Sequence, residues 1–297
     1  MNEADFIAAL RTLPLHPAAR ALCDDTAMLG GMVVTTDTLV EGVHFLPDDP
    51  AADVAWKLVA TNLSDLAAKG SMPIGVMLNY PLSDATWDRA FLQGFEAVLR
   101  TYDAALIGGD TVSLPDGAPR ILTVTAFGAR SSAPPRSGVL AGDRLWVTGT
   151  IGDAGAGLSI AKGAEGPAEL LDRYRRPVPR LAEGARIARS AHAMMDVSDG
   201  LLIDAQTMAA ASGLAVAIDL ARVPLSDAYR AWSGDRMAAV TAGDDYELLF
   251  AASPTFVPLT PATLIGRFQE GAGLTLTDAG APVTLPARLG FAHGVAD

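Results

Sequence analysis

The chain of 297 residues has one cysteine, Cys23, so it can form neither an intramolecular disulfide nor an all-cysteine metal site. A reducing compartment suits such a chain, and a cytoplasmic location is expected. Its four histidines, His16, His44, His192 and His293, lack zinc-site spacing, which argues against a zinc hydrolase. Lysine is scarce, with only Lys57, Lys69 and Lys162 among 22 basic residues, and 34 acids bring the net charge to −12. Such a surface repels polyanions unless metal ions or a local basic spot intervene, so nucleic acid is not an expected partner. No run of about 18 apolar residues occurs, and the N-terminal MNEADFIAALRTL carries acids where a signal peptide needs basic residues, so no membrane association is expected. Also missing are a GxxxxGK[ST] loop, a strand-linked GxGxxG with a following acid, and the HRD and DFG pair of protein kinases.

What is present is a chain half apolar with a mean hydropathy of +0.27, enough to bury a large core in one big domain or two ordinary ones. Short β-branched runs at 32–40, 120–129 and 143–150 read as strands. Between them, Phe91, Phe95, Val98, Leu99 and Tyr102 fall on one stripe of a helix over 86–102. The expectation is a mixed α/β fold of the α+β type. The polar, turn-rich stretch 131–143 marks a domain junction, cut near 135 to give segments 1–135 and 136–297. A second helix over 53–69 sets Trp56, Val59, Ala60, Leu63 and Ala67 on one face and Asn62, Asp65 and Lys69 on another. The polar face is open to two readings, a solvated surface or a set of ligands.

Acids recur where chain geometry tends to expose them: Asp24 and Asp25 in a turn, Asp37 at a strand end, Asp65 on the helix, Asp110 after a Gly pair, and Asp196 and Asp199 around a strand-to-helix turn. Carboxylates beside Gly, Ser and Thr suit Mg²⁺, which keeps water or substrate phosphate in its remaining positions. The chemistry suggested is phosphoryl transfer. The Gly-rich stretch 149–157 precedes a helix but has no P-loop lysine, and reads as a tight strand-to-helix connection.

Taken in order, TTDTLVEGVHF, NLSDLAAKG, LIGGDT, RSGVLAGD, VTGTIGDAGAGL, MDVSDGL and DDYELLF resemble the thiamine-monophosphate kinase family of the aminoimidazole ribonucleotide synthetase superfamily over almost the whole chain. The resemblance implies two domains, the first contributing its sheet to a barrel shared by a homodimer, the second closing over the cleft. It implies ATP and thiamine monophosphate as substrates, several Mg²⁺ ions, and direct in-line transfer with no dedicated catalytic residue. By the same resemblance Asp25, Thr35, Thr36, Asp37, Asp65, Asp110, Asp196 and Asp199 match metal ligands. Gly109, Asp110, Arg136 and Ser198 match ATP contacts, and His44, Asp244 and Phe291 match contacts to the acceptor. Tyr102 is assigned to adenine, although its helical spacing suits core packing. The chain departs from the family pattern at Cys23 for Gly, Lys69 for Met and Asp244 for Glu. Lys69 is read as solvent-exposed, the alternative being a place on the Asp65 face where it pairs with a carboxylate or a phosphate. Two alternatives are a superfamily relative that activates another small phosphate or amide, and a magnesium-nucleotide binding module without turnover.

Overall fold

Apolar alternation builds two sheets, and a computed structural model of the chain describes them over residues 3–115 and 117–291. His293 lies outside the described residues. The first sheet holds β1 (Ala27–Leu29), β2 (Met32–Val40), β3 (Pro73–Leu82), β4 (Ala105–Ser113) and β5 (Ile121–Gly128) in the order β1-β2-β5-β3-β4. Only β3 and β4 run parallel, because the helix between them makes the crossover that parallel neighbours require. The second sheet holds β6 (Arg144–Val147), β7 (Ala193–Asp196), β8 (Ala215–Asp219), β9 (Leu248–Ala252), β10 (Thr263–Gln269), β11 (Gly273–Asp278) and β12 (Ala281–Val283) in the order β12-β11-β8-β10-β6-β9-β7. Nine helices are described: α1 (Glu3–Leu10), α2 (Ala51–Ala68), α3 (Ala85–Thr101), α4 (Asp153–Ala161), α5 (Ala168–Arg175), α6 (Leu181–Ile187), α7 (Leu201–Ala211), α8 (Asp227–Trp232) and α9 (Arg236–Thr241). None is long and apolar enough to cross a membrane.

The mixed α and β class matches the sequence expectation. Helix α3 starts where the Asp84 carboxylate accepts from the N–H groups of Thr86 and Trp87. Its expected stripe buries Phe91, Phe95 and Val98, with Trp87, Phe91 and Phe95 stacked in series. On β5, Leu122, Val124 and Ala126 point to one face at period two and join the α2 side chains in one core.

Helix α2 departs from the two-faced reading, with sixteen of its eighteen residues buried. Its apolar side chains share one core with the first sheet, Asn62 and Asp65 meet Asp37 and Thr35 of β2, and Ser64 and Lys69 reach Asp196 and Met194 of β7. The polar face is therefore neither solvated nor a surface patch. It forms the seam between the two sheets, and the open cleft lies at the end of that seam.

Strand β4 is exposed along its whole length, with Leu106, Ile107 and Val112 half open to solvent. Such an apolar edge is a liability that natural sheets usually cover.

Candidate active site

The cleft has a volume of about 1210 Å³ and is lined by residues of both sheets. A pocket for one small ligand is about 300 to 1000 Å³, so this space accommodates two. The lining includes an acidic group, Asp25, Thr36, Asp37, Asp65, Asp196, Ser198 and Asp199, and beside it His44, Asp244, Tyr246 and Phe291.

The acidic group is assembled by α2. Asn62 accepts the Asp37 N–H at 3.1 Å and donates to the Leu58 carbonyl, fixing the end of β2 against the helix. Thr35 donates its hydroxyl to Asp65, and Ser64 donates to Asp196 across the seam. Burial, then the Asp196 charge, raises Asp37 from 3.8 to about 7. Burial, then Asp37 and Asp196, pushes Asp65 well above the ordinary carboxylate range, opposed by the Thr35 hydroxyl and the Lys69 ammonium. Asp196 is raised too, by burial, against the Ser64 hydrogen bond and Lys69. Three carboxyls that resist ionisation together form a site that gains from a cation. Asp25 pairs through one oxygen with Arg136, and its Oδ2 is buried without a hydrogen-bond partner. Among the described residues no three His, Cys, Asp or Glu side chains converge tightly enough to enclose an ion by themselves. The donor set fits hard cations that complete their shell with water and phosphate oxygens.

Beside that group, His44 Nδ1 accepts the Val40 N–H, which leaves Nε2 as the remaining ring nitrogen. Asp244 adopts a left-handed φ of 69°. Its carboxylate accepts from Lys57 Nζ at 2.7 Å and from the Tyr246 hydroxyl at 3.0 Å. Lys57 also donates to the His44 carbonyl and lies 4.2 Å from the Tyr174 ring centroid.

Comparisons with known proteins bear on this arrangement. Residues 23–129 match the model of the AIR synthase related protein N-terminal domain, and 141–279 that of its C-terminal domain. The thiamine-monophosphate kinase of Caulobacter vibrioides is 39% identical, the alignment covering 99% of this chain and 91% of that protein. The chain belongs to the thiamine-monophosphate kinase family. The family's solved structures fit the same way: AaThiL complexed with AMPPCP and TMP superposes with a TM-score of 0.84 at 30% identity over 98% of this chain and 97% of that one. The thiamine-monophosphate kinase of Stenotrophomonas maltophilia gives 0.76 at 37% identity, over 94% and 96%.

Against this family frame, the structure gathers most of the residues singled out from sequence. Asp25, Thr36, Asp37, His44, Asp65, Asp196, Ser198, Asp199, Asp244 and Phe291 line the cleft, while Thr35 is buried behind Asp65 and Arg136 behind Asp25. Gly109 and Asp110 do not line it. They sit on β4, and the pairing Asp37 to Val124, Leu78 to Val124 and Leu78 to Gly109 puts three strand spacings between them and Asp37, about 14 Å. Tyr102 caps α3 and meets Trp56 edge-on at 5.9 Å, in the core position its spacing suits.

Lys69 is a correction. It is fully buried, its ammonium 2.6 Å from Asp24 and donating to the Met194 carbonyl at 3.0 Å. Burial of a charge is tolerable here because a carboxylate and carbonyls replace water.

The Gly-rich stretch is indeed a connection, and its helix N-terminus is filled from within: Asp245 accepts from Gly152 and Ala154. Sequence reasoning missed Lys57, which bridges His44 and Asp244, and Lys162 and Arg288, which bring positive charge to the cleft lining. Lysine scarcity was the available signal, since each of the three sits at or beside the site.

Proposed function

We propose that this protein transfers the γ-phosphoryl group of ATP to the phosphate of thiamine monophosphate, giving ADP and thiamine diphosphate. The observation that carries this reading is one cleft that gathers a cluster of acids together with His44, Asp244 and Phe291, in a member of a family of such kinases. The acceptor monoester is mostly ionised at neutral pH, because its second pKa is about 6, so its oxygen attacks the γ-phosphorus without a general base. The bond from that phosphorus to the β,γ-bridging oxygen breaks, and ADP leaves with the electron pair. Catalysis is then positioning and charge stabilisation.

Asp25, Asp37, Asp65, Asp196 and Asp199, with Thr35 and Thr36, hold Mg²⁺ ions in this reading. Bound Mg²⁺ neutralises the two polyanions and the charge on the transferred group. Ser198 and Arg136 serve the donor phosphates, and Arg136 exchanges Asp25 for phosphate when ATP arrives. His44, Asp244 and Phe291 take the acceptor, with Lys57 fixing the Asp244 carboxylate. Tyr102 is left to the core, from which an adenine contact would require it to turn away from Trp56.

We also propose a cytoplasmic homodimer, divided within each chain near residue 135, in which the β3 and β4 edge pairs with a second copy. Ile74, Met77, Leu82, Leu106, Ile107 and Val112 are the exposed apolar side chains such a barrel covers. Gly109 and Asp110 join the ATP and metal groups only through that second copy, since their own cleft lies three strands away. The test is product analysis of ATP plus thiamine monophosphate, with and without Mg²⁺, and with free thiamine as alternative acceptor. Thiamine diphosphate from the monophosphate with Mg²⁺ alone is the expected result. Nucleotide binding without product would replace the kinase with a binding module.

A further inference from the structure

Three stretches of backbone meet around the turn Ser198–Asp199–Gly200, between β7 and α7. The N–H groups of Ser198, Asp199 and Gly200 all donate to one oxygen, Asp204 Oδ2, at 3.1, 3.2 and 3.2 Å. The carbonyls of the same turn face the other way. Ser198 O accepts the Asp244 N–H at 2.8 Å, and Asp199 O accepts the Phe291 N–H at 2.9 Å. These approaches depend on missing side chains, because a Cβ on Gly243 would lie 2.4 Å from Ser198 O and one on Gly290 2.5 Å from Asp199 O.

Successive N–H groups turned to one side form a nest that draws an anion. Here the nest is filled by the protein's own side chain, a buried carboxyl oxygen in the first turn of α7. With the nest filled from behind, the Ser198 and Asp199 side chains face the cleft. The turn's two carbonyls meanwhile hold the main chain at residues 244 and 291.

We infer that Asp204 is a positioning residue that ties the donor side of the site to the acceptor side through this single turn. The inference rests on the kinase reading for the roles of Asp199, Asp244 and Phe291. Asp204 touches neither substrate. It fixes the backbone from which Asp199 reaches the nucleotide's metal and against which Asp244 and Phe291 are docked. Loosening the turn therefore weakens both subsites at once.

The experiment is isothermal titration of the full chain with two probes, thiamine monophosphate alone and a non-hydrolysable ATP analogue with Mg²⁺. The proteins are wild type, Asp204→Ala, which removes the shared acceptor, and Asp84→Ala, which removes the carboxylate that caps α3 and lies outside the cleft lining. Asp204→Ala should weaken both affinities, each by about tenfold to a hundredfold, the usual range for groups that orient ligands. Asp84→Ala should lower the melting temperature and leave both affinities unchanged, which separates positioning from general destabilisation. Gly290→Ala gives an independent arm, pushing on Asp199 O from the acceptor side with Asp204 intact, and should weaken the metal-nucleotide probe. It decides alone if Asp204→Ala does not fold. Unchanged affinities in Asp204→Ala, loss at one subsite only, or unaltered metal-nucleotide binding in Gly290→Ala would overturn the inference. A wild type that binds neither probe overturns the kinase reading and this inference with it.

Discussion

Replacing Asp37 by Asn tests the electrostatics of the acidic cluster. In the metal-free protein the Asp37 carboxyl is raised from 3.8 to about 7 by burial and by Asp196. A carboxyl held above its unfolded value stabilises the fold while it is protonated, and that contribution fades as the pH climbs through about 7. At about 1.4 kcal/mol per unit the ceiling is about 4 kcal/mol, of which about 3 is lost between pH 5 and pH 8. Asp37 is half-buried and borders a water-filled cleft, so screening reduces this to about 1 to 3 kcal/mol. Spread over an unfolding entropy of about 0.6 kcal/mol per kelvin for a chain of this size, it amounts to about 2 to 5 °C. Asn cannot ionise and escapes the penalty. In EDTA, Asp37→Asn should therefore gain about 2 to 5 °C on wild type between pH 5 and pH 8, read by scanning calorimetry. Added Mg²⁺ should raise the wild type more than the variant. Equal differences between the two proteins at both pH values would refute the argument.

Lys57→Met leaves Asp244 without its 2.7 Å ammonium partner and should raise the KM for the acceptor about tenfold, with a smaller effect on that for ATP, in steady-state assays. Lys69→Met leaves Asp24 buried with Arg20 as its remaining ion-pair partner, and should cost about 2 to 4 kcal/mol in urea unfolding. Leu106→Glu puts a charge on the exposed β4 edge and should yield a monomer by light scattering at concentrations where the wild type is dimeric. If Asp110 serves the partner's cleft, co-expressing Asp65→Asn and Asp110→Asn chains, each inactive alone, should recover about a quarter of wild-type activity, because half the dimers then hold one intact site of two. No recovery would return Asp110 to its own chain, and an Asp110→Asn chain active by itself would leave Asp110 no role.

Local signals made much of the fold legible. The α3 stripe and the β-branched runs need only neighbours within a turn or two, and both elements form where the periodicity puts them. The acids were legible as a class but not all by position: Asp196 ends β7 and Asp199 lies in a turn as expected, whereas Asp37 lies inside β2 and not at its end, and Asp110 lies inside β4. The polar face of α2 was not legible, since its environment joins Thr35 and Asp37 of β2 to Met194 and Asp196 of β7, the latter more than a hundred residues away. Lys69 was misread for the same reason: Asp24 and Met194 lie on either side of it in sequence, and nothing local announces them. Asp204 left a faint trace, an acid four residues after the turn glycine in a helix's first turn, where a carboxylate can reach back to loop N–H groups. The distance of Asp110 from the cleft follows from strand order, which composition and motif do not encode.

Helix α2 also bears on how the gene can be cut and recombined. The two family models divide the chain neatly at the linker, as if either half could be exchanged or expressed alone. Yet α2 belongs to the first half and is walled on its far side by β7 and α6 of the second. A fragment ending at the linker would carry Ser64, Asp65 and Lys69 on a bare helix face, with a buried cation stripped of its carbonyl from Met194. A chimera would set a foreign strand against that same face. Ser64, Lys69 and the β7 segment are thus inherited as one block, and substitutions on either side of the linker are constrained to change together.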